Sequence, residues 1–383
     1  MAARHVSSRR VVHRRERRGR QTARELFGDG TQPVSDPGLT AAYDFDLPQK
    51  LIAQTPATPR DASRLLVMRG GLLEHRTFRD LPEYLRAGDL LVLNETRVIA
   101  ARVFGTRPTG GRVEIVLLRP SRHARYDSGA TRWQVLAKPG RRLGKGQEIL
   151  FGDLGSGRIA GVLDDGIREV EFELHVPFEE FLRRAGRLPL PPYIRNDSQQ
   201  AQERYQTIFA REPGSVAAPT ASLHFTQAVF DAIAAKGVGT VKIVLDVGLG
   251  TFRPMQAERV QEHHMHGETF VISQQAAGEI DRAKREGRRI VAAGTTVVRA
   301  LEGSAAAHGI VQDGAEETDL FITPGFQFRV VDALITNFHL PKSSLLVLVS
   351  AFAGRERVLH AYREAVTREY RFFSFGDAMF IEP

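Results

Sequence analysis

The pattern of apolar and polar residues changes twice along the chain, and this change constrains the fold more than any other feature. Between Thr96 and Leu188 the sequence consists of short alternating segments such as RVEIVLLRP and RWQVLAKPG, each ended by Gly, Pro or Asp. Regular short strands with such turn signals are typical of an all-β barrel or sandwich. The sequence therefore predicts a small β-barrel domain at residues 96–188.

On both sides of this segment the pattern indicates a larger α/β domain. After Pro191, apolar strands such as TVKIVLDVG alternate with helical segments such as TQAVFDAIAAKG. The apolar runs RLLVMRGG and LLVLNETRVI, before Thr96, have no helices of their own, so we expect them to join the same sheet. We predict a mixed α/β (α+β) fold: residues 41–95 and 189–383 form a domain with a mixed sheet flanked by helices, and the β-barrel domain is inserted into it.

Composition excludes several classes of protein. The chain has no cysteine, which excludes disulfides, thiolate zinc sites and cysteine nucleophiles and favours a reducing, cytoplasmic compartment. No apolar run reaches the roughly 18 residues that a membrane-spanning helix needs, so we expect no membrane partner.

The start of the chain carries much of the net charge of +8. Residues 1–40 contain nine arginines and four acidic residues, which predicts a basic, disordered N-terminal extension. The extension lacks the apolar core of a secretory signal. We expect an unstructured, solvated tail without an essential role. Three other interpretations remain open: sequence-independent attraction to nucleic acid, organellar targeting, or a start codon assigned too early.

Four segments have the composition of ligand-binding loops. LDVGLGTFRP, AAGTTVVRALE and ITNFHLPKSSL each begin in a predicted strand and continue with Gly, Thr or Asn. The fourth, EPGSVAAPTASLHFT, is too rich in small residues for a strand core and too interrupted by proline and glycine for a helix. Because ligands bind where the strands of an α/β sheet end, we predict that these loops meet in one pocket.

Two motifs suggest other chemistry. EHHMHGE, residues 262–268, has three histidines, but no distant fourth ligand is suggested, so we expect a polar hairpin or a substrate-covering loop and no metal. LDVGLGTF resembles the first motif of Rossmann-type methyltransferases through Asp246, Gly248 and Gly250. Phe252 stands where that motif has its third glycine, so the match is incomplete.

The order of ten segments gives the most specific pattern. They are YDFDLPQKLIAQTPATPRDASRLLV, LVLNETRVIAARVFG, LPLPPYI, RYQTIFAREPGSVAAPTASLHFT, VGLGTFRP, EHHMHGE, GTTVVRALE, TDLFITPGF, DALITNFHLPKSSLLVLVSAFAG and YRFFSFGDAMFI. From about Tyr43 onward this pattern resembles the S-adenosylmethionine:tRNA ribosyltransferase-isomerases of queuosine biosynthesis. Two positions depart from it, because glycine is common in the family where Ser222 stands and histidine where Asp246 stands.

The resemblance implies an enzyme that transfers the ribosyl part of S-adenosylmethionine to 7-aminomethyl-7-deazaguanine (preQ1) at the wobble position of tRNA. The ribosyl group is rearranged to give epoxyqueuosine, and adenine and methionine are released. S-adenosylmethionine is then a co-substrate, and no metal or redox cofactor is implied. The resemblance also implies a monomer that binds the anticodon loop.

The implied reaction needs a base and an acid. The sulfonium acidifies the C5′ protons, one of which a base must remove, and adenine leaves only after protonation of a ring nitrogen. Histidine serves either role near neutral pH. We therefore predict His224 and His339 as catalytic acid–base residues, with Asn337 and Asp246 orienting substrate groups. The alternative for either histidine is that it only positions the ligand.

The other predicted site residues bind the substrates. A cation or a helix start suits the methionine carboxylate, an acid suits the aminomethyl cation, cations suit RNA phosphates, and rings stack on bases. For the carboxylate the candidates are Arg253, Thr295 and Thr296, and for the aminomethyl cation they are Asp61, Asp319 and Asp377. The candidates for phosphate contacts are Arg64, Arg97, Arg102, Arg204 and Lys342, and those for stacking on bases are Tyr193, Tyr205 and Phe225. The loop residues Ser215, Ala217, Pro219 and Thr220 and the residues Gly248, Gly250, Thr251 and Arg299 complete the predicted pocket.

Two other functions remain open at this point. An S-adenosylmethionine-dependent RNA methyltransferase, suggested by LDVGLGTF, produces S-adenosylhomocysteine. A non-catalytic RNA-binding protein, using the β domain and the basic extension, binds tRNA with a steep salt dependence and consumes no S-adenosylmethionine.

Overall fold

A mixed nine-stranded sheet and a closed antiparallel barrel organise the chain. The computed structural model describes residues 36–121, 127, 129–248, 254–265 and 267–383, without the side chain of Asp165. Of the predicted N-terminal extension, only residues 36–40 belong to this part. Within it, the strands are β1 (Arg64–Arg69), β2 (Leu72–Thr77), β3 (Leu90–Asn94), β4 (Thr96–Val98), β5 (Arg102–Thr106), β6 (Arg112–Pro120), β7 (Arg132–Lys138), β8 (Glu148–Leu150), β9 (Gly155–Val162), β10 (Ile167–Leu174), β11 (Gly186–Arg187), β12 (Glu212–Ser215), β13 (Gly239–Leu245), β14 (Glu268–Ile272), β15 (Ile290–Ala293), β16 (Gly314–Thr318), β17 (Ala333–Asn337) and β18 (Ala378–Glu382).

The helices mostly follow strands of the larger sheet, as the alternating pattern predicts. In the described part of the chain they are α1 (Leu81–Tyr84), α2 (Phe178–Ala185), α3 (Gln199–Arg204), α4 (Gln227–Ala235), α5 (Gln274–Arg285), α6 (Thr295–His308), α7 (Ser344–Ala353) and α8 (Arg355–Thr367). None of these described helices has the length and apolar character needed to cross a membrane.

The nine-stranded sheet has parallel strands at its centre. Its spatial order is β16-β14-β13-β3-β15-β17-β18-β1-β2. Strands β13, β3, β15 and β17 are mutually parallel, so their carboxyl ends meet at one edge. Every residue of β3 is buried, as expected for a parallel strand covered on both faces. The apolar runs before Thr96 form β1 and β3 of this sheet, as predicted.

Local signals fix the ends of several helices. The hydroxyl of Thr226 accepts a hydrogen bond from the Val229 backbone N–H at 3.3 Å and so caps α4. Gly237, with φ of +77°, follows the end of the same helix, where a left-handed residue is needed. Ser343 caps α7 in the same way through the Leu346 N–H at 3.2 Å. These caps explain why the helices begin where the sequence predicts.

The barrel closes through strands contributed by one stretch of chain. Strands β5, β6, β7, β10, β9 and β8 pair in antiparallel order, and β8 pairs back to β5 between Leu150 and Thr106. Alternate residues of β6 are buried inside, and the buried Trp133 ring stacks on Phe178 of α2 at 5.0 Å. The predicted mixed fold with an inserted β-barrel is confirmed. The boundaries 41–95, 96–188 and 189–383 stay a prediction.

The small-residue loop contains more regular structure than its composition predicts. Residues Glu212–Ser215 form β12, which pairs with β4 in parallel, and Thr220–His224 form a 3₁₀ turn. The prediction of a loop without strand structure was wrong for the first four residues. Their partner strand lies more than a hundred residues earlier in the chain, so no local signal announces the pairing.

Candidate active site

A cavity lies where the central parallel strands end. Asn337 ends β17, Thr295 follows β15, Val247 follows β13, and the small-residue loop adds a wall from Ala218 to Ala221. All four predicted segments therefore contribute to the cavity, LDVGLGTFRP through Val247 alone. The lining is Tyr193, Ala218, Pro219, Thr220, Ala221, Val247, Gly294, Thr295, Thr296, Thr336, Asn337, Phe338, His339, Leu340, Ser343, Leu345, Phe373 and Ser374.

The cavity is narrow in this conformation. Its volume is about 60 Å³. Ligand pockets usually begin at about 300 Å³. A ligand of nucleoside size therefore requires the walls to move apart.

Asn337 lines the cavity and carries a side-chain carbonyl oxygen without a partner among the described residues. Its Nδ2 donates to His224 Nε2 at 3.1 Å and to the Phe373 carbonyl oxygen at 3.2 Å. A backbone carbonyl only accepts, so this contact fixes which end of the amide is nitrogen. The opposite atom, Oδ1, is buried and accepts no hydrogen bond from the described residues. An unsatisfied buried acceptor costs about 1–3 kcal/mol, so the site favours a ligand that donates here.

His224 positions Asn337 by accepting a hydrogen bond from its side-chain amide. Because its Nε2 accepts from Asn337, its proton lies on Nδ1, which donates to Ser63 Oγ at 2.7 Å. The imidazole stacks on Phe78 at 5.0 Å, and burial lowers its pKa to about 4. His224 is therefore neutral at pH 7, with both nitrogens engaged. It contacts the cavity through Asn337 and does not belong to the wall that the described residues form.

His339 lies on the cavity wall. Its Nε2 forms a hydrogen bond of 2.8 Å with Thr336 Oγ1, and its backbone N–H donates to the Tyr362 hydroxyl at 3.0 Å. Burial lowers the pKa of His339 to about 3. The ring is therefore neutral at pH 7. When Nε2–H donates to Thr336, Nδ1 carries a lone pair, which is the form that a base requires.

An aromatic pair forms another wall. Tyr193 stacks on Phe373 with ring centroids 4.5 Å apart, and its hydroxyl bonds to Ser374 Oγ at 2.5 Å. Burial raises the pKa of Tyr193, so the phenol stays protonated. Phe373 has φ of +72°, a left-handed conformation that a bulky residue rarely adopts. This backbone presents the carbonyl that binds Asn337, so the strain is found at the site itself.

Ser215 ties the small-residue loop to the end of β13. Its hydroxyl bonds to the Ala217 carbonyl at 2.6 Å and accepts from the Val247 N–H at 3.0 Å. Ser215 and Ala217 are both fully buried and lie behind the wall, whereas Pro219 and Thr220 are part of it. Ser215 therefore positions the loop.

The start of α6 adds backbone donors. Gly294 has φ of +107°, which allows the chain to turn sharply from β15 into the helix. Thr295 and Thr296 follow on the wall. The first N–H groups of a helix have no partner within it and attract anions. This agrees with the prediction that Thr295 and Thr296 bind the methionine carboxylate.

Several predicted charged residues bind within the fold. The buried Asp377 accepts from the backbone N–H groups of Arg64 and Arg371, at 3.0 and 2.8 Å, and also pairs with the Arg64 guanidinium. The buried Arg299 pairs with the buried Glu268. These contacts place Asp377, Arg64 and Arg299 outside the cavity wall.

Four more predicted residues also have partners inside the chain. Asp61 accepts from Thr226 at 3.0 Å, Arg102 pairs with Glu114 and Asp197, Arg204 donates to the Ala57 carbonyl at 2.6 Å, and Lys342 pairs with Asp44 at 2.7 Å. None of them lines the cavity among the described residues.

The remaining predicted residues fall into three groups. Tyr205 and Phe225 are fully buried in apolar clusters, so neither ring is available for stacking on a base in this conformation. Arg97 and Asp319 are exposed. Asp246 and Gly248 follow β13 next to Val247 without lining the cavity, and Gly250, Thr251 and Arg253 lie outside the described residues.

Ser222, one of the two departures from the family pattern, is buried in the 3₁₀ turn. Its Oγ accepts or donates no hydrogen bond among the described residues, although two positions later His224 binds Asn337. A glycine there would remove this unpaired hydroxyl. For Asp246, the other departure, the backbone N–H donates to the Thr269 carbonyl at 2.9 Å.

Sequence reasoning missed several wall residues. Thr336, Phe373 and Ser374 line the cavity, and all three contact predicted site residues directly. Phe373 and Ser374 belong to YRFFSFGDAMFI, a segment of the family pattern whose role was not assigned. Consecutive side chains of a strand normally point to opposite faces of the sheet, so the sequence pattern does not predict that the neighbours Thr336 and Asn337 both line the cavity at the end of β17.

The histidine cluster has no metal-ligand geometry in the described part of the chain. No group of three or more His, Cys, Asp or Glu residues there is arranged to hold a metal ion. His263 contacts the Phe321 ring edge at 5.4 Å, and His266 lies outside the described residues.

The chain is similar to proteins of one family over most of its length. A family model described as queuosine biosynthesis protein matches residues 40–381. A protein from Symbiobacterium thermophilum named S-adenosylmethionine:tRNA ribosyltransferase-isomerase is 53% identical, covering 88% of this chain and 98% of its own. A protein of the same name from Heliobacterium modesticaldum is 53% identical, covering 89% and 99%.

A solved structure agrees with these sequence matches. The crystal structure of an S-adenosylmethionine tRNA ribosyltransferase from Thermotoga maritima is 37% identical, with a TM-score of 0.50, and covers 88% of this chain and 99% of its own. The resemblance to the family seen in the sequence is confirmed. The chain belongs to the queuosine biosynthesis protein family.

Proposed function

We propose that this chain is an S-adenosylmethionine:tRNA ribosyltransferase-isomerase. It transfers the ribosyl group of S-adenosylmethionine to preQ1 at the wobble position of tRNA, gives epoxyqueuosine, and releases adenine and methionine. The names of the relatives at about 50% identity support the enzyme class. The buried, unpaired oxygen of Asn337 beside His339 is the single structural observation that carries the site assignment.

The overall reaction is balanced without an external oxidant or reductant. The bonds from the ribosyl group to sulfur and to adenine break, and each electron pair leaves with its group. C1′ forms a bond to the aminomethyl nitrogen and a bond to C5′, which closes the five ribosyl carbons into a ring, while the bond from C1′ to the ring oxygen breaks. That oxygen then bonds to C5′, the carbon that has lost sulfur and one proton, and so forms the epoxide. Starting from the neutral amine, one net proton is released to solvent. S-adenosylmethionine is therefore a co-substrate, and we propose no redox cofactor.

Asn337 binds a donor of S-adenosylmethionine. The ribose hydroxyls and the adenine amino group are the neutral donors of that molecule. Neither can find an acceptor on His224, whose nitrogens are both engaged. The Asn337 carbonyl oxygen satisfies one of these donors and thereby fixes the nucleoside in the cavity.

His339 removes the C5′ proton and then donates it to the departing adenine. Its pKa of about 3 keeps the ring unprotonated at pH 7, so it enters the reaction as an acceptor. A group with such a pKa is a weak base, and the sulfonium must supply part of the driving force by acidifying C5′. Once protonated, the same ring is a strong acid and suits the departing adenine. The proton that leaves the active site comes from the aminomethyl nitrogen.

The helix start at Thr295 and Thr296 binds the methionine carboxylate. Of the acids predicted for the aminomethyl group, Asp61 and Asp377 have partners within the fold, which favours the exposed Asp319. A tRNA substrate also implies a cytoplasmic enzyme. These assignments extend the proposal.

Product identification tests the proposal. The purified protein is incubated with S-adenosylmethionine and a tRNA that carries preQ1, and the small molecules are identified by mass spectrometry. We expect adenine and methionine, together with a gain in mass of the wobble nucleoside by the transferred ribosyl fragment. S-adenosylhomocysteine would instead establish methyl transfer. Tight tRNA binding with unchanged S-adenosylmethionine would establish a binding protein.

A further inference from the structure

The barrel segment carries a positive charge that the cavity does not use. Residues 96–188 contain 17 basic and 11 acidic side chains, whereas the whole chain from residue 41 onward contains 44 and 41. The rest of that body is therefore slightly acidic. A basic surface of this kind attracts a polyanion.

A groove runs along the outer face of the barrel. Strands β5, β6 and β7 form one wall, and the segment 189–194 with Asp197 forms the other. Its volume is about 520 Å³, within the usual range of ligand pockets of about 300–1,000 Å³. Val116, Leu136 and Leu190 give it apolar walls, which leaves room for a flat base.

Arginine side chains cluster at the same outer face. The guanidinium carbons of Arg102, Arg112 and Arg187 lie 5.2, 4.4 and 5.7 Å from the centre of the Phe104 ring. Glu114 and Asp197 neutralise Arg102.

Three cations of this face remain for a ligand. Arg112, Arg187 and Lys138, which lines the groove, form no ion pair with any residue that the structure describes. In the register of β6 and β7, Lys138 stands opposite Glu114, whose carboxylate is bound by Arg102. The face therefore keeps an excess of positive charge after its own acids are paired.

The groove and the active-site cavity share one wall. Pro192 and Ile194 line the groove, and Tyr193 between them lines the cavity. The groove and the cavity thus lie on different sides of one turn, in which the Ile194 N–H donates to the Pro191 carbonyl oxygen at 3.0 Å. A polymer with one unit in the cavity has its neighbouring units at the groove.

We propose that this groove binds the anticodon-loop nucleotides next to the modified base. Phosphates contact Arg112, Arg187 and Lys138, and an unpaired base packs on the guanidinium-covered Phe104 and the apolar wall. Proteins recognise RNA loops by such splayed bases, stacked on aromatic rings or guanidinium planes. The inference rests on the proposed function, because it requires tRNA as the substrate.

Charge reversal at the groove tests the inference. The variant Arg112→Glu with Arg187→Glu reverses the two arginines that lie over the Phe104 ring next to the groove. It is compared with Lys145→Glu with Arg158→Glu, which makes the same charge change at exposed barrel positions that neither line the groove nor lie over that ring. Binding of a synthetic anticodon stem-loop RNA is measured by fluorescence anisotropy over a range of salt concentrations. Melting temperatures and S-adenosylmethionine binding check that each variant is folded.

We expect the groove variant to bind RNA at least tenfold more weakly than the control variant. The slope of log K against log salt should fall by about 0.7 for each lost phosphate contact. Arg112→Lys with Arg187→Lys should retain most of the affinity. Equal affinities of groove and control variants, in a protein that modifies tRNA, would overturn the groove assignment alone. A wild-type protein that neither binds nor modifies tRNA would overturn the proposed function and the groove together.

Discussion

Asn337 Nδ2 donates to His224 Nε2 over 3.1 Å, and this one contact separates the roles of the two predicted histidines. It requires His224 to be unprotonated at Nε2 and leaves the Asn337 carbonyl oxygen without a partner among the described residues. His224 is thus a positioning residue that acts through Asn337, whereas His339 lies on the wall itself.

Substitution of His224 distinguishes positioning from catalysis. In His224→Gln a side-chain carbonyl replaces Nε2 as the acceptor for Asn337, so we expect kcat within about tenfold of wild type. In His224→Ala the amide of Asn337 loses that partner, and we expect kcat to fall about 100-fold or more. Single-turnover kinetics measure both. If Gln and Ala lower kcat equally and by a factor of about 1,000, His224 is itself the base.

The buried neutral histidines predict a pH dependence of stability. Their folded pKa values, about 4 for His224 and about 3 for His339, lie below the unfolded value of about 6.5. The unfolded chain therefore binds more protons as the pH falls below about 6.5. The contribution of the two neutral histidines to the free energy of unfolding is fully present above that pH. On acidification it decreases by about 1.4 kcal/mol per pH unit for each histidine.

Urea unfolding at about pH 7, 6 and 5 measures this loss. His224→Gln, which cannot titrate, should lose stability less steeply than wild type, by about 1.4 kcal/mol per pH unit. Identical slopes for the two proteins would contradict the neutral, buried state of His224.

The sequence predicts that Arg299 belongs to the substrate pocket, whereas its buried ion pair with Glu268 predicts that substitution of Arg299 lowers stability. Removing one partner breaks this buried ion pair and leaves the other charge inside the fold, so Arg299→Leu and Glu268→Leu should each cost about 3–5 kcal/mol. The double variant should lose less than the sum, because it leaves no buried charge. A thermodynamic cycle from urea unfolding provides these values. Strict additivity would show that the two side chains do not interact.

The cavity wall predicts different results for two neighbouring alanines. Ala218 lines the cavity, so Ala218→Leu should weaken S-adenosylmethionine binding more than tenfold. Ala217 is fully buried behind the wall, so Ala217→Leu should cost about 1–3 kcal/mol of stability through overpacking. Calorimetric titration and thermal unfolding separate the effects. Full ligand affinity in Ala218→Leu would exclude this loop from the site.

The sequence predicts those features that depend on neighbouring residues. The N-cap of α4 at Thr226, the glycine that follows that helix and the apolar run that forms β3 are local signals, and each appears where expected. The position of His339 and Asn337 at a strand end also follows from the order of strand and loop.

Features set by distant partners were not predictable in the same way. The sequence shows that Arg299 and Asp377 are charged, but their partners come from other elements, so their structural role appears only in the fold. Similarly, Asn337 is far from His224 in the chain, yet its amide donor fixes the proton of that ring on Nδ1. Pairing of charges in a folded core is a tertiary property, and composition alone cannot separate it from ligand binding.

The fate of the C5′ hydrogens tests the central claim that neutral His339 removes one of them. S-adenosylmethionine with deuterium at both C5′ positions is incubated with preQ1-containing tRNA, and the deuterium in the modified nucleoside is measured by mass spectrometry. We predict that the wild-type product retains one deuterium, and that His339→Gln, with its fold intact, forms at least 100-fold less product. Retention of both deuterium atoms would contradict proton abstraction at C5′, and full activity of His339→Gln would contradict the role of His339.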